Sequence, residues 1–220
     1  MLSGNISSLL DRSPNQYSLN ARTKIQTYAR NQILFRQGNT PRGLFHICAG
    51  TVKLCQLGRR GAQQILKICG PEELLGCDAL FAGSSYAYSA IVLHEAQIRF
   101  IEHRAIRRLI RRNTPATLRL LSYMASETVE LQDSLCHIAM DPVRQRLAWL
   151  LLCLERRYGC SSQGGTLLNI HLSREELAQM IGTASETVIR VLAEFRRDGY
   201  ISTLGRSIVL HDVEGLQGEC

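Results

Sequence analysis

The first half of the chain alternates short apolar runs with glycine. Eight glycines fall between residues 32 and 102, and the runs between them include LFHIC, TVKLCQL, QQILKIC and SAIVLHEAQIRFI. Runs of this length, rich in β-branched and aromatic residues and bounded by glycine, are typical of strands. Many short strands with regular turns predict an all-β barrel or jelly roll.

Helical spacing replaces this alternation after residue 113. Thr114 and Pro115 are predicted to open a helix in the order of a capping residue followed by proline, and the helix is predicted to run to Met140. A stripe at intervals of three and four residues follows along it, at Leu121, Met124, Thr128, Leu131, Leu135 and Ile138. This spacing is typical of a two-stranded coiled coil and predicts a dimerisation helix. The alternative is a helix packed only on its own barrel.

Two helix starts lie close together near the end of the chain, in LSREELAQMIGTASETVIRVLAEFRRDGYIS. Ser173 with Glu176, and Thr183 with Glu186, both have the Ser/Thr-x-x-Glu spacing of a capping box. Only Gly182 separates the two predicted helices, so they are expected to cross steeply. The pattern therefore predicts a helix-turn-helix.

A short hairpin is predicted directly after the second of these helices, which ends near Asp198. The segment YISTLGRSIVL alternates apolar and polar residues around Leu204, Gly205 and Arg206. Such a hairpin is the wing of a winged helix-turn-helix.

The predicted fold class is therefore α+β, with three parts in chain order. Asp141-Pro142 separates the dimerisation helix from the next helix, VRQRLAWLLLCLERRYG. The predicted parts are a jelly-roll-like β-roll domain with short leading helices at 1–112, the dimerisation helix at 113–141, and the winged helix-turn-helix domain at 142–220.

The second helix of the pair presents polar side chains near its amino end, where a recognition helix contacts base edges. Glu186 can accept a hydrogen bond from a cytosine amino group, and Arg190 can bind guanine O6 and N7 together. The alternative is that these two residues, four positions apart, only form a surface ion pair. The predicted DNA-binding residues are Ser173, Arg174, Thr183, Ser185, Glu186, Thr187, Ile189, Arg190 and Arg206.

The charge distribution does not by itself favour DNA binding. The chain has a formal net charge of +7, but residues 142–220 hold nine Lys+Arg and nine Asp+Glu, whereas residues 1–141 hold seventeen and ten. The DNA-binding prediction therefore depends on the motif. Much of the excess is a cluster that is either a solvated helix face or a contact surface: Arg104, Arg107, Arg108, Arg111, Arg112 and Arg119.

The eight cysteines include no C-x-x-C pair, so zinc-ribbon and thioredoxin interpretations have no support. The opening residues lack a basic start followed by an apolar core, and no run approaches the roughly 20 apolar residues of a membrane span. We expect a cytoplasmic protein without a membrane partner, in which most cysteines are packed free thiols. An enzyme with Cys77 as nucleophile beside His94 is not favoured, because no orienting aspartate or asparagine is marked.

Essentially the whole chain resembles the CRP/FNR family of bacterial transcription regulators. The matching segments are GTVKL after LFHI, LLGCDALFAG, RLAWLLL and, most specifically, LSREELAQMIGTASETVIRVLAEFRRDGYI. The resemblance implies a homodimer that binds a palindromic promoter site in double-stranded DNA when an effector acts on the β-roll, and that recruits or blocks RNA polymerase. By position, Glu186 and Arg190 match the family's base-reading glutamate and arginine, which implies a half-site with a TGA core. Ser185 stands where cyclic-AMP-responsive members carry arginine, and Ile189 where some oxygen-responsive members carry serine.

The residues that hold cyclic AMP in the family are replaced in this chain. Members that bind it have glutamate after the glycine of a phosphate cassette and an Arg-Ser pair about ten residues later, whereas here Cys77 follows Gly76 and the later pair is Tyr88-Ser89. A buried phosphate without a cation is costly, so we expect an effector other than cyclic AMP. The predicted effector-pocket residues are Leu54, Leu66, Cys69, Gly76, Cys77, Tyr88, Ser89, Thr128 and Gln132.

The alternative is a sensor of redox state or a diatomic gas that uses haem, an iron-sulfur cluster or a reactive thiol in the β-roll. The amino-terminal cysteines of the oxygen-sensing members are absent, because the first cysteine is Cys48. Alternation from Leu54 predicts that Cys48 and Cys69 point inward and that Cys77 lies exposed at the pocket mouth, where its thiol would be reactive. The candidate metal ligands are Cys48, Cys69, Cys77 and His94, with His46 and His103 as further conceivable haem ligands.

Overall fold

The computed structural model describes residues 24–58, 61–162 and 164–220. The chain divides into two compact units with the boundary between Leu131 and Gln132. The short leading helices predicted for the start of the chain lie outside the described residues. The predicted domain limits at residues 112 and 141 stay predictions.

In the described part of the first unit, the strands form one antiparallel sheet of six members, in the order β1-β6-β3-β4, with β2 paired to β6 and β5 paired to β3. The predicted β-roll is confirmed, because its long strands match the apolar runs. The strands are β1 (Ile25–Tyr28), β2 (Ile33–Phe35), β3 (Gly43–Leu57), β4 (Gln63–Cys69), β5 (Leu74–Leu75) and β6 (Ser89–Glu102).

The runs LFHIC and TVKLCQL, which were expected to be separate strands, form the single strand β3. Its register against β6 shifts three times between Ile47 and Val52, and Gly50 within this segment has a φ of 82°. Bulges bend a strand without ending it. A side chain at residue 50 would collide with the backbone of Glu95, so glycine is required here.

Three helices begin in the described part of the first unit: α1 (Cys77–Ala82), α2 (His103–Arg112) and α3 (Thr114–Met140). Two apolar clusters lie in the core formed by the described residues of this unit. One lies within the roll and includes Phe35, Ile47, Val52, Leu54, Cys69, Leu75 and Tyr86. The other joins the roll to the helices and includes Leu44, Leu74, Cys77, Leu80, Ile106, Leu109, Leu120 and Tyr123.

The first turn of α3 differs from the prediction. The side-chain oxygen of Asn113 accepts a hydrogen bond from the Ala116 N–H at 3.0 Å, so Asn113 rather than Thr114 caps the helix. Asn113 also follows the end of α2 directly, and its N–H donates to the Leu109 carbonyl. One residue therefore ends one helix and begins the next.

Two polar contacts fasten α3 to the roll inside the first unit. The buried Tyr123 hydroxyl donates to the Leu74 carbonyl at 3.1 Å and accepts from the Leu74 N–H at 3.2 Å. Burial raises the pKa of Tyr123 well above its ordinary value, so the hydroxyl keeps its proton. The ammonium of Lys67 on β4 lies 2.5 Å from Glu127 and 3.2 Å from Glu130, both on α3.

The described residues of the second unit form four more helices and a small sheet in the order β7-β8-β10-β9. The predicted wing is confirmed, since β9 and β10 pair from Leu204 and Ser207 outward with only Gly205 and Arg206 between them. No helix among the described residues has both the length and the apolar character needed to cross a bilayer. The elements are α4 (Val143–Tyr158), β7 (Gly159–Ser162), β8 (Gly165–Leu168), α5 (Arg174–Ile181), α6 (Ser185–Arg197), β9 (Ile201–Leu204), β10 (Ser207–Leu210) and α7 (Val213–Gly218).

Substitution Tyr123→Phe is expected to lower the free energy of unfolding by about 1–3 kcal/mol, because two buried backbone groups of Leu74 lose a partner while the ring still fits. The measurement is chemical denaturation of the full chain followed by circular dichroism.

Tyr28→Phe is the matched control. Its hydroxyl donates to the exposed Gln26 side chain at 2.8 Å and bonds to no buried group among the described residues, so a change within about 0.5 kcal/mol is expected. Equal losses in the two variants would contradict the role given to the Tyr123 hydroxyl.

Candidate DNA-binding and effector sites

The first helix of the pair, α5, begins with the predicted capping box. The Ser173 hydroxyl accepts from the Glu176 N–H at 3.1 Å, and the Glu176 carboxylate accepts from the Ser173 N–H at 2.9 Å. The helix ends at Gly182, whose φ of 65° is the left-handed conformation that favours glycine. The sequence therefore predicted both ends of α5.

The capping box predicted for Thr183 and Glu186 is wrong. The N–H groups of Gly182 and Thr183 both donate to the Ala178 carbonyl, so Thr183 completes the end of α5. The second helix, α6, begins at Ser185 after Ala184, and no side chain caps it. The turn is therefore three residues long rather than one.

One side of α6 is buried against α5. The apolar residues at the crossing are at most 3% exposed, and Phe195, further along α6, is fully buried. Ala178 supplies the small side chain that lets helices approach closely. The residues at the crossing are Leu177, Ala178, Ile181, Val188 and Val191.

The opposite side of α6 is exposed. Glu186 and Arg190 are exposed, and so is Ile189, at 55%, while Ser185 and Thr187 are half-buried. The proposed ion pair between Glu186 and Arg190 is contradicted, because the Arg190 guanidinium donates to Glu194 at 3.2 Å. Glu186 and Arg190 therefore share the exposed face of the helix without binding each other.

The start of α5 contacts the wing. The Arg174 guanidinium donates to the Gly205 carbonyl at 3.1 Å, and burial lowers the pKa of Arg174 below its ordinary value. Arg206, the next residue of the same turn, is exposed. The structure thus joins Arg174 directly to the turn that carries Arg206.

A cluster of charges around Arg144, which sequence reasoning missed, holds α6 from the side of α4. Arg144 bonds to Glu219 at 2.6 and 2.8 Å, to Asp198 at 2.8 Å and to Glu194 at 3.1 Å. Its guanidinium also lies 4.8 Å from the centre of the Phe195 ring. Because these residues are 50 to 75 positions away from Arg144, no local spacing could have shown the cluster.

The predicted effector-pocket residues are brought together only in part. Leu54 and Cys69 lie in the apolar cluster within the roll, and Tyr88 packs against it. In the same region the rings of Phe35 and Tyr86 are stacked, with centres 3.8 Å apart.

The other predicted pocket residues are placed as follows. Gly76 is buried with a φ of 85°, and Ser89 accepts from the Gln37 N–H at 2.9 Å. Leu66 is exposed, Thr128 is exposed and donates to the Met124 carbonyl, and Gln132 lies in the second unit.

The cysteine predictions for the roll are wrong in two respects. Cys77 is not at an exposed pocket mouth: it is 7% exposed within the second apolar cluster, and burial raises its pKa well above the ordinary value, so the thiol is not activated. Cys48 does not point into the roll beside Cys69, but is half-buried with its sulfur 3.5 Å from His46 Nδ1. The bulges in β3 reverse the alternation from which Cys48 was placed.

The candidate metal ligands therefore do not converge. Cys69 and Cys77 belong to different apolar clusters, and His94 Nδ1 is hydrogen-bonded to the Thr51 hydroxyl at 2.7 Å. Within the part of the chain that the structure describes, no three His, Cys, Asp or Glu side chains are grouped as metal ligands.

Comparisons with known proteins agree with this architecture. Residues 25–113 match the family model of the cyclic nucleotide-binding domain, and residues 145–219 match that of the Crp-like helix-turn-helix domain. A CRP-like cAMP-activated global transcriptional regulator of Mycobacterium tuberculosis is 30% identical over 190 residues, which are 86% of this chain and 84% of the relative. An anaerobic regulatory protein of Bacillus subtilis is 27% identical over 192 residues, which are 86% of this chain and 81% of that relative.

Solved structures show the same fold. A CRP-family transcriptional regulator from Thermus thermophilus has a TM-score of 0.75 at 27% identity and covers 88% of this chain and 95% of its own. FixK2 of Bradyrhizobium japonicum has a TM-score of 0.81 at 20% identity, with 90% and 96% covered.

The chain therefore belongs to the CRP/FNR family of transcription regulators, as its sequence predicted. Its relatives are regulatory proteins rather than enzymes.

Substitution Arg144→Met is expected to lower the free energy of unfolding of the second unit by about 1–2 kcal/mol at neutral pH, because three carboxylates lose a partly exposed charged donor. Methionine keeps an apolar contact with Phe195. The measurement is urea denaturation followed by fluorescence of Trp149, since the chain has a single tryptophan and it lies in α4.

The difference in the free energy of unfolding between wild type and Arg144→Met is expected to become smaller in acid. Hydrogen bonds from Arg144 hold the pKa of Glu219 below its ordinary value, so this contribution is complete above about pH 4.3 and is lost as the pH falls through the lowered pKa. The control is Arg196→Met, an exposed arginine of α6. If the difference in unfolding free energy between Arg144→Met and wild type stayed constant down to pH 2, the stabilising role given to the Arg144–Glu219 hydrogen bonds would be contradicted.

Proposed function

We propose that this chain is a homodimeric regulator that reads a palindromic promoter site in double-stranded DNA with α6, responds to an effector other than cyclic AMP, and contacts RNA polymerase. The observation that carries the DNA-reading part is the division of α6 into two faces. Its apolar side is buried against α5, and the side with Glu186, Ile189 and Arg190 is exposed. An exposed helix of this kind fits the major groove, which is about 12 Å wide.

The exposed side chains have the chemistry to read base pairs. Glu186 accepts from a cytosine amino group, and Arg190 donates to O6 and N7 of guanine. To reach a base, Arg190 exchanges its contact with Glu194, which costs little because an exposed ion pair contributes only about 0.2–1 kcal/mol. Glu194 keeps its second partner, Arg144, at 3.1 Å.

The remaining DNA-binding residues are suited to phosphate contacts, which position the protein on the duplex. Arg206 is exposed at the tip of the wing, and Arg174 is held beside the same turn. Hydroxyl groups near the starts of the two helices complete the proposed set: Ser173, Thr183, Ser185 and Thr187.

The dimer is proposed to form along α3. Leu121, Leu131 and Leu135 are 58%, 60% and 64% exposed, and Ile138 is 39% exposed, so one stripe of the helix is apolar and uncovered in a single chain. A second copy would cover this stripe as a two-stranded coiled coil, and the resulting two-fold symmetry matches a palindrome. Met124 contributes less, because it already packs against the core of the first unit.

Two features of the roll support an effector other than cyclic AMP. The Tyr88 hydroxyl, at the position of the family's cassette arginine, donates to Asp78 at 2.8 Å. This pair presents a carboxylate, and no cation, to a bound phosphate. The interior nearby already contains the stacked rings of Phe35 and Tyr86.

Substitution Arg190→Ala is expected to weaken binding to the specific site at least tenfold, because a bidentate arginine–guanine contact is worth about 1–3 kcal/mol in each half-site. The measurement is footprinting and titration on a palindrome with TGA half-sites, with circular dichroism to confirm folding.

Arg197→Ala serves as the control, since Arg197 is an exposed arginine at the other end of α6. The same footprint is measured with and without cyclic AMP, and no change is expected. Retention of the footprint by Arg190→Ala would exclude α6 as the reading helix, and a footprint that required cyclic AMP would exclude the proposed effector class.

Substitution Leu135→Glu is expected to convert the dimer to a monomer, because it places a charge within the apolar stripe, at its most exposed leucine. Sedimentation equilibrium measures the result, and binding to the palindrome should weaken with it.

Val129→Glu is the matched control, because Val129 is 55% exposed on the same helix but lies off the stripe. The proposed dimer surface is wrong if Leu135→Glu remains a dimer, or if both variants dissociate equally.

A further inference from the structure

Five arginines lie on one side of α2, at positions i, i+3, i+4, i+7 and i+8. This surface, the α2 basic face, consists of Arg104, Arg107, Arg108, Arg111 and Arg112. All five are exposed, and together they line one open depression of about 380 Å³. The other side of the helix buries Ile106 and Leu109 in the core, so the direction of the face is fixed.

Four of the five arginines of this face lack an ion-pair partner in the part of the chain that the structure describes. The helix itself contains no aspartate or glutamate. Across residues 24–58, 61–162 and 164–220, no carboxylate forms an ion pair with four of its members, Arg104, Arg107, Arg108 and Arg111. Like charges four positions apart destabilise a helix, so the cluster does not serve the stability of α2.

The helix dipole accounts for only part of the cluster. Arg111 and Arg112 lie in the last turn, where a cation is favourable, but Arg104 lies in the first turn, where it is unfavourable. The combined arrangement is that of a surface that binds a partner with several negative charges.

We propose that the α2 basic face binds the phosphate backbone of DNA that flanks the recognition site. This inference rests on the proposed function. Residues 142–220, the predicted winged helix-turn-helix domain, carry nine Lys+Arg and nine Asp+Glu, so this part of the chain brings no net charge to the duplex, although neutralised phosphates supply most of the sequence-independent affinity. Residues 1–141 carry seventeen and ten, and the α2 basic face supplies five of those seventeen cations.

The dimensions of the face suit a single DNA strand. From Arg104 to Arg112 the helix rises about 12 Å, a length along which one strand of B-DNA presents roughly three to four phosphates. Arginine rather than lysine occupies all five positions, and the guanidinium group binds phosphate through two parallel hydrogen bonds. The flanking duplex is therefore contacted through its backbone, without regard to sequence.

The test compares two duplexes that share the recognition site. One ends at the edges of the footprint, and the other extends it by about one helical turn on each side. For the wild-type full chain, the slope of log affinity against log salt concentration should be steeper on the long duplex by about 3 per protomer. The variant with Arg104→Gln, Arg107→Gln, Arg108→Gln and Arg111→Gln should bind the short duplex as wild type does and lose the additional slope on the long one.

The control carries the same loss of charge on exposed arginines outside the face: Arg30→Gln, Arg36→Gln, Arg42→Gln and Arg119→Gln. It should retain the additional slope. Equal slopes of the wild type on both duplexes, or an additional slope retained by the α2 variant, would overturn the proposal and leave an acidic protein surface as the occupant. Failure of the proposed function gives a different result. In that case the wild-type chain does not bind the short duplex in preference to an unrelated duplex of the same length.

Discussion

The packing of α5 against α6 is the contact on which the DNA-binding unit depends. It buries Val188 and Val191 against Leu177 and Ala178, and it thereby leaves the side of α6 with Glu186 and Arg190 in contact with solvent. If α6 could rotate about its own axis, Glu186 and Arg190 would not keep a fixed direction towards a partner. Arg144 adds a contact from the side of α4, since it binds Glu194 on α6 together with Glu219, which follows the end of α7.

Three helices of this chain share one arrangement, a buried apolar stripe opposite an exposed stripe, and they differ in the residues of the exposed stripe. Each buries one apolar stripe, and the exposed stripe carries arginines on α2, leucines on α3, and a mixed polar set on α6. The buried stripe fixes the direction in which the exposed stripe points. A stripe of arginine suits phosphates, a stripe of leucine suits a second copy, and a glutamate with an arginine suits base edges. The proposed partners therefore follow from side-chain chemistry on surfaces that the core has oriented.

The fold of the β-roll does not by itself identify the effector. The relatives include a cAMP-activated regulator and an anaerobic regulatory protein at similar overall identity, so the architecture does not specify the signal. In this chain the interior near Leu54 is occupied by stacked aromatic rings, and Tyr88 is bound to Asp78. Lys67 and Tyr123 meanwhile hold α3 on the roll through contacts within the protein itself.

The sequence by itself determined the order of elements, the glycine that ends α5 and the wing, because helical and strand periods and capping patterns are local. Predictions from the sequence failed for features that depend on how the elements pack in the tertiary structure. The bulges of β3 reversed the expected side for Cys48, and the end of α5 took up Thr183, which moved the start of α6 to Ser185. Burial of Cys77, the contacts of Arg144 and the attachment of Tyr123 to Leu74 arise between segments far apart in the chain. Such contacts leave no periodic trace, since each depends on how whole elements pack.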